Sequence, residues 1–231
     1  MTDTHTALII GANRGIGLGL VKQLAARGWA VTATARNPDA AKDLNSLASE
    51  NKDVVVESVD TADAASCTAL RDRLAGQVFD LLIVNAGVSG PAKTPRNVER
   101  EEFADLFITN SLAPVRLGEM LMINVRPETG VIGMMTSQLG SVEQASAGGM
   151  ELYRASKAAL NSFTRSFAAR HRDKKIAILS LHPGWVRTDM GGPNATVSIE
   201  DSTSGLIGVI ERARADRQDG YFDYTGATLP W

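Results

Sequence analysis

The chain has 231 residues, 44% of them hydrophobic and 22% charged, enough to bury a sizeable core within one α/β domain spanning residues 1–231. Its 24 basic and 26 acidic side chains are interspersed and leave a formal net charge of −2, which argues against a nucleic-acid-coating surface or a basic membrane patch. The single cysteine, Cys67, excludes an intrachain disulfide and a cysteine-rich metal site. Among Ala64, Ala65, Ala69 and Leu70 it reads as a half-buried structural thiol on a helix. Residues 1–6 are polar and too short for a signal peptide. No apolar run approaches membrane-spanning length, so a cytoplasmic protein is expected.

Residues 7–10 form a short apolar run that reads as a strand buried on both faces. Gly11, Gly15 and Gly17 punctuate the turn that follows, and Ile16, Leu20, Val21 and Leu24 then recur at helical spacing up to a stop at Gly28. A strand, a glycine-rich turn and a helix in this order open a dinucleotide-binding fold. Missing side chains let the backbone approach a pyrophosphate, and the helix N-terminus offers it free N–H groups. The glycines are spaced G-x-x-x-G-x-G rather than G-x-G-x-x-G.

Strands are then expected at Ala30–Ala35, 54–59, 80–84, Val131–Met135, 176–181 and 221–224. Helices are expected at 39–49, 63–74, 98–123, Glu151–Arg170 and 199–212. Pro114 marks a kink or junction within the 98–123 helix. Ser198 and Asp201 form a capping-box-like start to the last helix. Residues 136–149 and the Gly-Gly-Pro-Asn stretch within 190–197 read as loops, the latter a mobile one. Alternating strands and helices predict a Rossmann-type, doubly wound parallel sheet of about seven strands with helices on both faces. Its ligands should bind beyond the C-terminal strand ends.

At the end of the second strand, where an acidic residue often bonds a ribose hydroxyl, stands Arg36, and Arg14 lies inside the glycine turn. Two guanidinium groups suit a 2′-phosphate, so NADP is expected in preference to NAD. Tyr153 and Lys157, four apart on one helix, share a face. A lysine beside a tyrosine, with a cationic nicotinamide ring nearby, can lower the phenol toward neutrality and make it a general acid–base. Ser137, just past the fifth strand, could hold a carbonyl oxygen, with Ser141 and Ser146 as competitors. Asn110 lies in the helix before that strand.

Together these segments resemble the short-chain dehydrogenase/reductase family over essentially the whole chain. The match runs through Gly11-Ala-Asn-Arg-Gly15-Ile-Gly17, Asn85-Ala-Gly87, Asn110, Ser137, Tyr153-x-x-x-Lys157 and Pro183-Gly184-x-Val186-x-Thr188, in the family's order. The closing segment, from Gly220-Tyr-Phe-Asp-Tyr-Thr-Gly226 to Leu229-Pro-Trp231, is similar to the branch with C-factor-like and sniffer-type carbonyl reductases.

The resemblance implies that Tyr153 moves the proton, that Lys157 lowers its pKa and bonds the nicotinamide ribose, and that Ser137 orients the substrate oxygen. It implies that Asn110 holds a water in a proton relay. Gly11, Asn13, Arg14, Gly15, Ile16 and Gly17 would wrap the pyrophosphate, while Asp60, Asn85, Ala86 and Gly87 border the adenine end. Pro183, Gly184, Val186 and Thr188 would cover the nicotinamide. Ile10 and Thr61 depart from the family pattern, the latter beside the adenine contact. The gap between Ser137 and Tyr153 leaves room for a small turn at 142–149 but not for the large insertion of monomeric relatives, so a homodimer or homotetramer is expected.

The substrate pocket should come from residues 88–91, 138–144, Trp185 and a loop at about 188–198, and should take a ketone, aldehyde or secondary alcohol without strong negative charge. No His, Cys and carboxylate cluster argues for a metal. The competing expectation is a non-catalytic NADP-binding signalling or interaction protein.

Overall fold

The computed structural model describes residues 4–146 and 148–231. Residues 1–3 of the polar lead segment, and Ala147 of the 142–149 turn, lie outside the described residues. Seven strands, β1 (Thr6–Ile10), β2 (Ala30–Ala35), β3 (Val54–Ser58), β4 (Leu81–Val84), β5 (Val131–Met135), β6 (Ala177–His182) and β7 (Gly220–Asp223), form one sheet. Its order is β3-β2-β1-β4-β5-β6-β7 and every pairing is parallel.

The central strands are apolar throughout because both their faces are covered. Along β1, Ala7 and Ile9 join a core with Leu20, Leu24, Leu206 and Ile210. Leu8 and Ile10 point the other way, into a core with Leu70, Leu117, Leu121 and Phe167. The first layer comes from α1 (Gly15–Ala26), α2 (Lys42–Glu50) and α7 (Ile199–Asp216). The second comes from α3 (Ala64–Arg73), α5 (Ala113–Leu121) and α6 (Glu151–Arg170), with Cys67 fully buried in it. The strand order reverses between β1 and β4, and the chain's main cleft opens at the strand C-termini there.

The element order follows the sequence closely, with three differences. The expected 98–123 helix is α4 (Arg100–Phe107) and α5 joined by a π-helical turn, Ile108–Leu112. Pro114 has no N–H to return to the Asn110 carbonyl, and the Ala113 N–H reaches back five residues to Ile108 instead. By length and composition the helical run Arg100–Asn124 could cross a membrane, contrary to the expectation that no apolar run approaches that length. Half of its most apolar window is buried in this fold, with α5 against β4 and α6.

The 190–197 segment is tied down rather than loose. Val186 and Val197 form a parallel bridge, and Trp185 Nε1 donates to the Gly191 carbonyl at 2.9 Å. The Arg187 guanidinium reaches the Ala195 and Thr196 carbonyls. Finally, α7 runs on to Asp216 from its Ser198 cap, whose hydroxyl accepts from the Asp201 N–H at 2.9 Å.

Candidate active site

A single cleft of about 2310 Å³ runs along the C-terminal strand ends. Its floor on one side is the β1–α1 turn. Gly11 has φ +82°, and a Cβ there would lie 2.9 Å from the Ala86 backbone. The first turn of α1 carries no acidic residue and no side-chain cap, so its N–H groups are left for a ligand. Backbone walls without side chains, ending on an uncapped helix N-terminus, fit a dinucleotide pyrophosphate.

Gly11, Asn13, Arg14, Gly15, Ile16, Arg36, Asp60, Asn85, Ala86 and Gly87 all line this cleft, as do Pro183, Gly184, Val186 and Thr188. Gly17 does not. It is buried beneath the turn, where a Cβ would sit 2.1 Å from the Gly11 carbonyl oxygen and 2.8 Å from Asn85 Nδ2. Its role is close packing of α1 on β1, with Asn85 Nδ2 bonding the Gly11 carbonyl at 2.8 Å to lock the same corner. Arg36 and Arg14 are both exposed at the cleft edge, but the Arg14 guanidinium is ion-paired with Asp189 of the 188–198 loop. Asp60 caps its own turn by accepting from the Ala62 N–H at 3.0 Å.

Ser137, Tyr153 and Lys157 meet deeper in the cleft. Ser137 Oγ accepts from the Leu139 N–H at 3.2 Å and is the hydrogen-bond partner of the Tyr153 phenol. Ser141 is turned away, its hydroxyl donating to the Trp231 carbonyl, and neither it nor Ser146 lines the cleft. Lys157 is 4% exposed. Its ammonium donates to the Met135 carbonyl at 3.0 Å and lies 5.9 Å from the Tyr153 ring centroid.

Burial pushes the Lys157 ammonium down to about 8. Burial also raises the Tyr153 phenol, and the Ser137 hydroxyl is what lowers it.

Asn110 is fully buried behind the cleft wall and does not line it. The π-helical turn rotates its amide toward Val88, where Oδ1 accepts from the Val88 N–H and Nδ2 donates to the Val88 carbonyl, both at 2.8 Å. Nδ2 also donates to Ser156 Oγ at 3.1 Å. A Cβ on Gly87 would come within 3.3 Å of Asn110 Oδ1 and 3.4 Å of Lys157 Nζ, so the three residues converge. Ser156 was not singled out in the sequence, although it links Asn110 to the Tyr153 carbonyl, which its hydroxyl meets at 2.7 Å. A small serine between Tyr153 and Lys157 carries no chemical pattern that would have marked it. His182 lines the cleft with Nδ1 unpartnered, and burial pushes it down to about 4, leaving it neutral.

The outer mouth is lined by Val88, Ser89, Gly90 and Pro91, by Gln138 and Leu139, and by Trp185 and Met190. Residues 140–144, expected there, instead turn toward Trp231, and Met150 takes that side of the rim.

These positions coincide with a known family. The short chain dehydrogenase model matches residues 5–197. The chain belongs to the short-chain dehydrogenase family of oxidoreductases. A Burkholderia multivorans structure, described as a short-chain dehydrogenase/reductase with bound NADP, superposes with TM-score 0.95 at 42% identity over 99% of this chain and 100% of that one. The carbonyl reductase Sniffer of Drosophila melanogaster superposes with TM-score 0.92 at 31% identity, again over 99% and 100% of the two chains. The Myxococcus xanthus protein C-signal is 39% identical over 153 residues, which cover 66% of this chain and 92% of that protein. The branch expected from the closing segment is thus the one the chain falls in.

Proposed function

We propose that this member of the family is an NADP(H)-dependent carbonyl reductase. The observation that carries the reading is the convergence of Ser137, Tyr153 and buried Lys157 on one wall of a cleft shaped for a dinucleotide. NADPH, when bound, supplies the hydride that reduces a carbonyl carbon, and NADP accepts one from a secondary alcohol. The β1–α1 turn and the free N–H groups of α1 would hold its pyrophosphate, with Asp60, Asn85 and Ala86 bordering the adenine end. Arg36, with Arg14 freed from Asp189, would take the 2′-phosphate. The NADP bound in the Burkholderia structure supports that preference.

The chain's own residues then handle the oxygen. The Ser137 hydroxyl, held at its oxygen by the Leu139 N–H, donates its proton to the carbonyl oxygen, which can only accept. Tyr153 gives that oxygen its proton in reduction and takes it back in oxidation. With a value of about 8, Lys157 is roughly nine-tenths charged at neutral pH and stabilises the phenolate left behind. Asn110 and Ser156 fix the Val88 backbone and the Tyr153 turn relative to each other. Pro183, Gly184, Val186 and Thr188 wall the nicotinamide side, with the 188–198 loop as the substrate loop.

Exposed Trp185, Met190 and Val88 at the mouth suit a neutral ketone or aldehyde. Exposed Phe103, Leu112 and Phe163 on the outer helices support self-association into a dimer or tetramer. The second reading, a protein that holds the dinucleotide for signalling without turnover, draws on the C-signal relative. The intact Asn110, Ser137, Tyr153 and Lys157 set weighs against it.

The test is a titration of the protein with NADPH and with NADH, followed by NADPH oxidation across neutral, dicarboxylate and phosphorylated carbonyl compounds. Tight NADPH binding with turnover of the neutral members is expected. Preference for NADH, or for a dicarboxylate or phosphate ester, would contradict the reading.

A further inference from the structure

The closing segment has no part in the chemistry above, yet it reaches the catalytic serine through Tyr221. Tyr221 on β7 is 1% exposed. Its hydroxyl donates to the Ser137 carbonyl at 2.6 Å. Burial pushes that phenol up to about 12, so it remains a donor at any working pH. The same carbonyl accepts the Gly140 N–H at 2.8 Å, which closes the short turn Gln138–Gly140. Ser137 is therefore held on three sides, by Leu139 at its hydroxyl and by Gly140 and Tyr221 at its carbonyl.

Trp231 braces the tyrosine. The two rings lie 5.3 Å apart at 35°, and the Arg165 guanidinium of α6 lies 5.2 Å from the Trp231 ring centroid. The Trp231 carbonyl accepts the Ser141 hydroxyl at 3.3 Å and the Glu143 N–H at 3.2 Å, gripping the loop just beyond Ser137. The turn is also pressed on the catalytic helix, since a Cβ on Gly140 would lie 2.8 Å from the Lys157 backbone. One aromatic pair thus ties β7, the Ser137 loop and the helix of Tyr153 and Lys157 into a single rigid unit.

We infer that Tyr221 and Trp231 are positioning residues for the reaction, setting the height of the Ser137 hydroxyl against the Tyr153 phenol. This rests on the catalytic reading of Ser137 and Tyr153. A hydroxyl misplaced by a fraction of an ångström no longer meets the oxygen on which charge develops, whereas the dinucleotide cradle at the β1–α1 turn is untouched.

The experiment combines amide hydrogen exchange by NMR with turnover of benzaldehyde by NADPH, for wild type, Tyr221→Phe, Trp231→Ala, Trp231→Phe and Tyr153→Phe. In Tyr221→Phe and Trp231→Ala, exchange at Leu139 and Gly140 should rise about tenfold, and kcat should fall about tenfold, with NADPH affinity unchanged. Trp231→Phe, which keeps a ring over Tyr221, should restore most of both. Unchanged exchange at Leu139 and Gly140 would overturn the inference, as would faster exchange with undiminished kcat. Loss of NADPH affinity in step with kcat would also overturn it, as a general disruption. Tyr153→Phe separates the two claims: if it stays active, the catalytic reading fails, while the exchange data still decide whether the brace exists.

Discussion

Lys157→Met should make the protein more stable and inactive at once. The lysine is 4% exposed, and its fall from 10.5 to about 8 corresponds to roughly 3 kcal/mol of penalty for keeping the charge buried. Methionine has a similar length and no charge to desolvate, but it leaves the Met135 carbonyl without the ammonium bond, a loss of about 1–2 kcal/mol. The net gain is about 1–2 kcal/mol, or roughly 2–8 °C in Tm for a chain of this size.

The pH dependence gives the sign a second check. Between about 8 and 10.5 the unfolded chain holds a proton on this lysine that the folded protein has released. Wild-type stability therefore rises with pH across that window, relative to a chain without the group. The advantage of Lys157→Met should be full below pH 8 and shrink as pH climbs toward 10.5. Calorimetry of the ligand-free protein at both ends of the window, with a turnover assay alongside, reads all of this. A lower Tm below pH 8, or an advantage that does not shrink, would refute the reasoning.

Other perturbations separate cradle, cofactor choice and scaffold. Gly17→Ala places a Cβ 2.1 Å from a backbone oxygen with nothing flexible to yield, so NADPH affinity should fall at least tenfold by titration, although the residue does not face the cleft. Arg36→Glu should weaken NADPH binding about ten- to hundredfold, while NADH changes little. Equal losses for both would remove Arg36 from the 2′-phosphate. Asp80 is 2% exposed and bonded to Arg126 at 2.8 Å and Arg214 at 3.0 Å at the sheet end opposite the cleft. Asp80→Asn should cost about 2–3 kcal/mol in denaturant unfolding and leave kcat unchanged. Although burial pushes the Asp80 carboxyl upward, its arginine and backbone bonds carry it below 3.8 in the folded state. Its contribution is therefore present above that value and lost as pH falls through the folded one.

Much of this was written in the residues. Apolar runs at β1, β4 and β5, short and bounded by turn residues, read as strands covered on both sides, and the glycine turn after β1 marks where an anion can sit. Tyr153 and Lys157 share a helix face by spacing alone. What could not be read depends on contacts between distant segments. The Arg14–Asp189 pair and the bond from Tyr221 to Ser137 join residues 175 and 84 positions apart, and no local pattern announces them. The π-helical turn at Asn110 looks like ordinary helix until Pro114 removes one N–H. Likewise, Gly17 shares a motif with Gly11 and Gly15, and only its depth shows that it packs rather than faces the ligand.

The central claim is that Tyr153 handles the proton while Lys157 and Ser137 tune it. The most direct measurement is loss of NADPH absorbance with a neutral aldehyde for wild type and Tyr153→Phe, paired with NADPH binding by both. The account predicts equal NADPH affinity and turnover reduced about a hundred- to ten-thousandfold in the variant, as expected when a general acid is removed. Turnover that survives the substitution would contradict it.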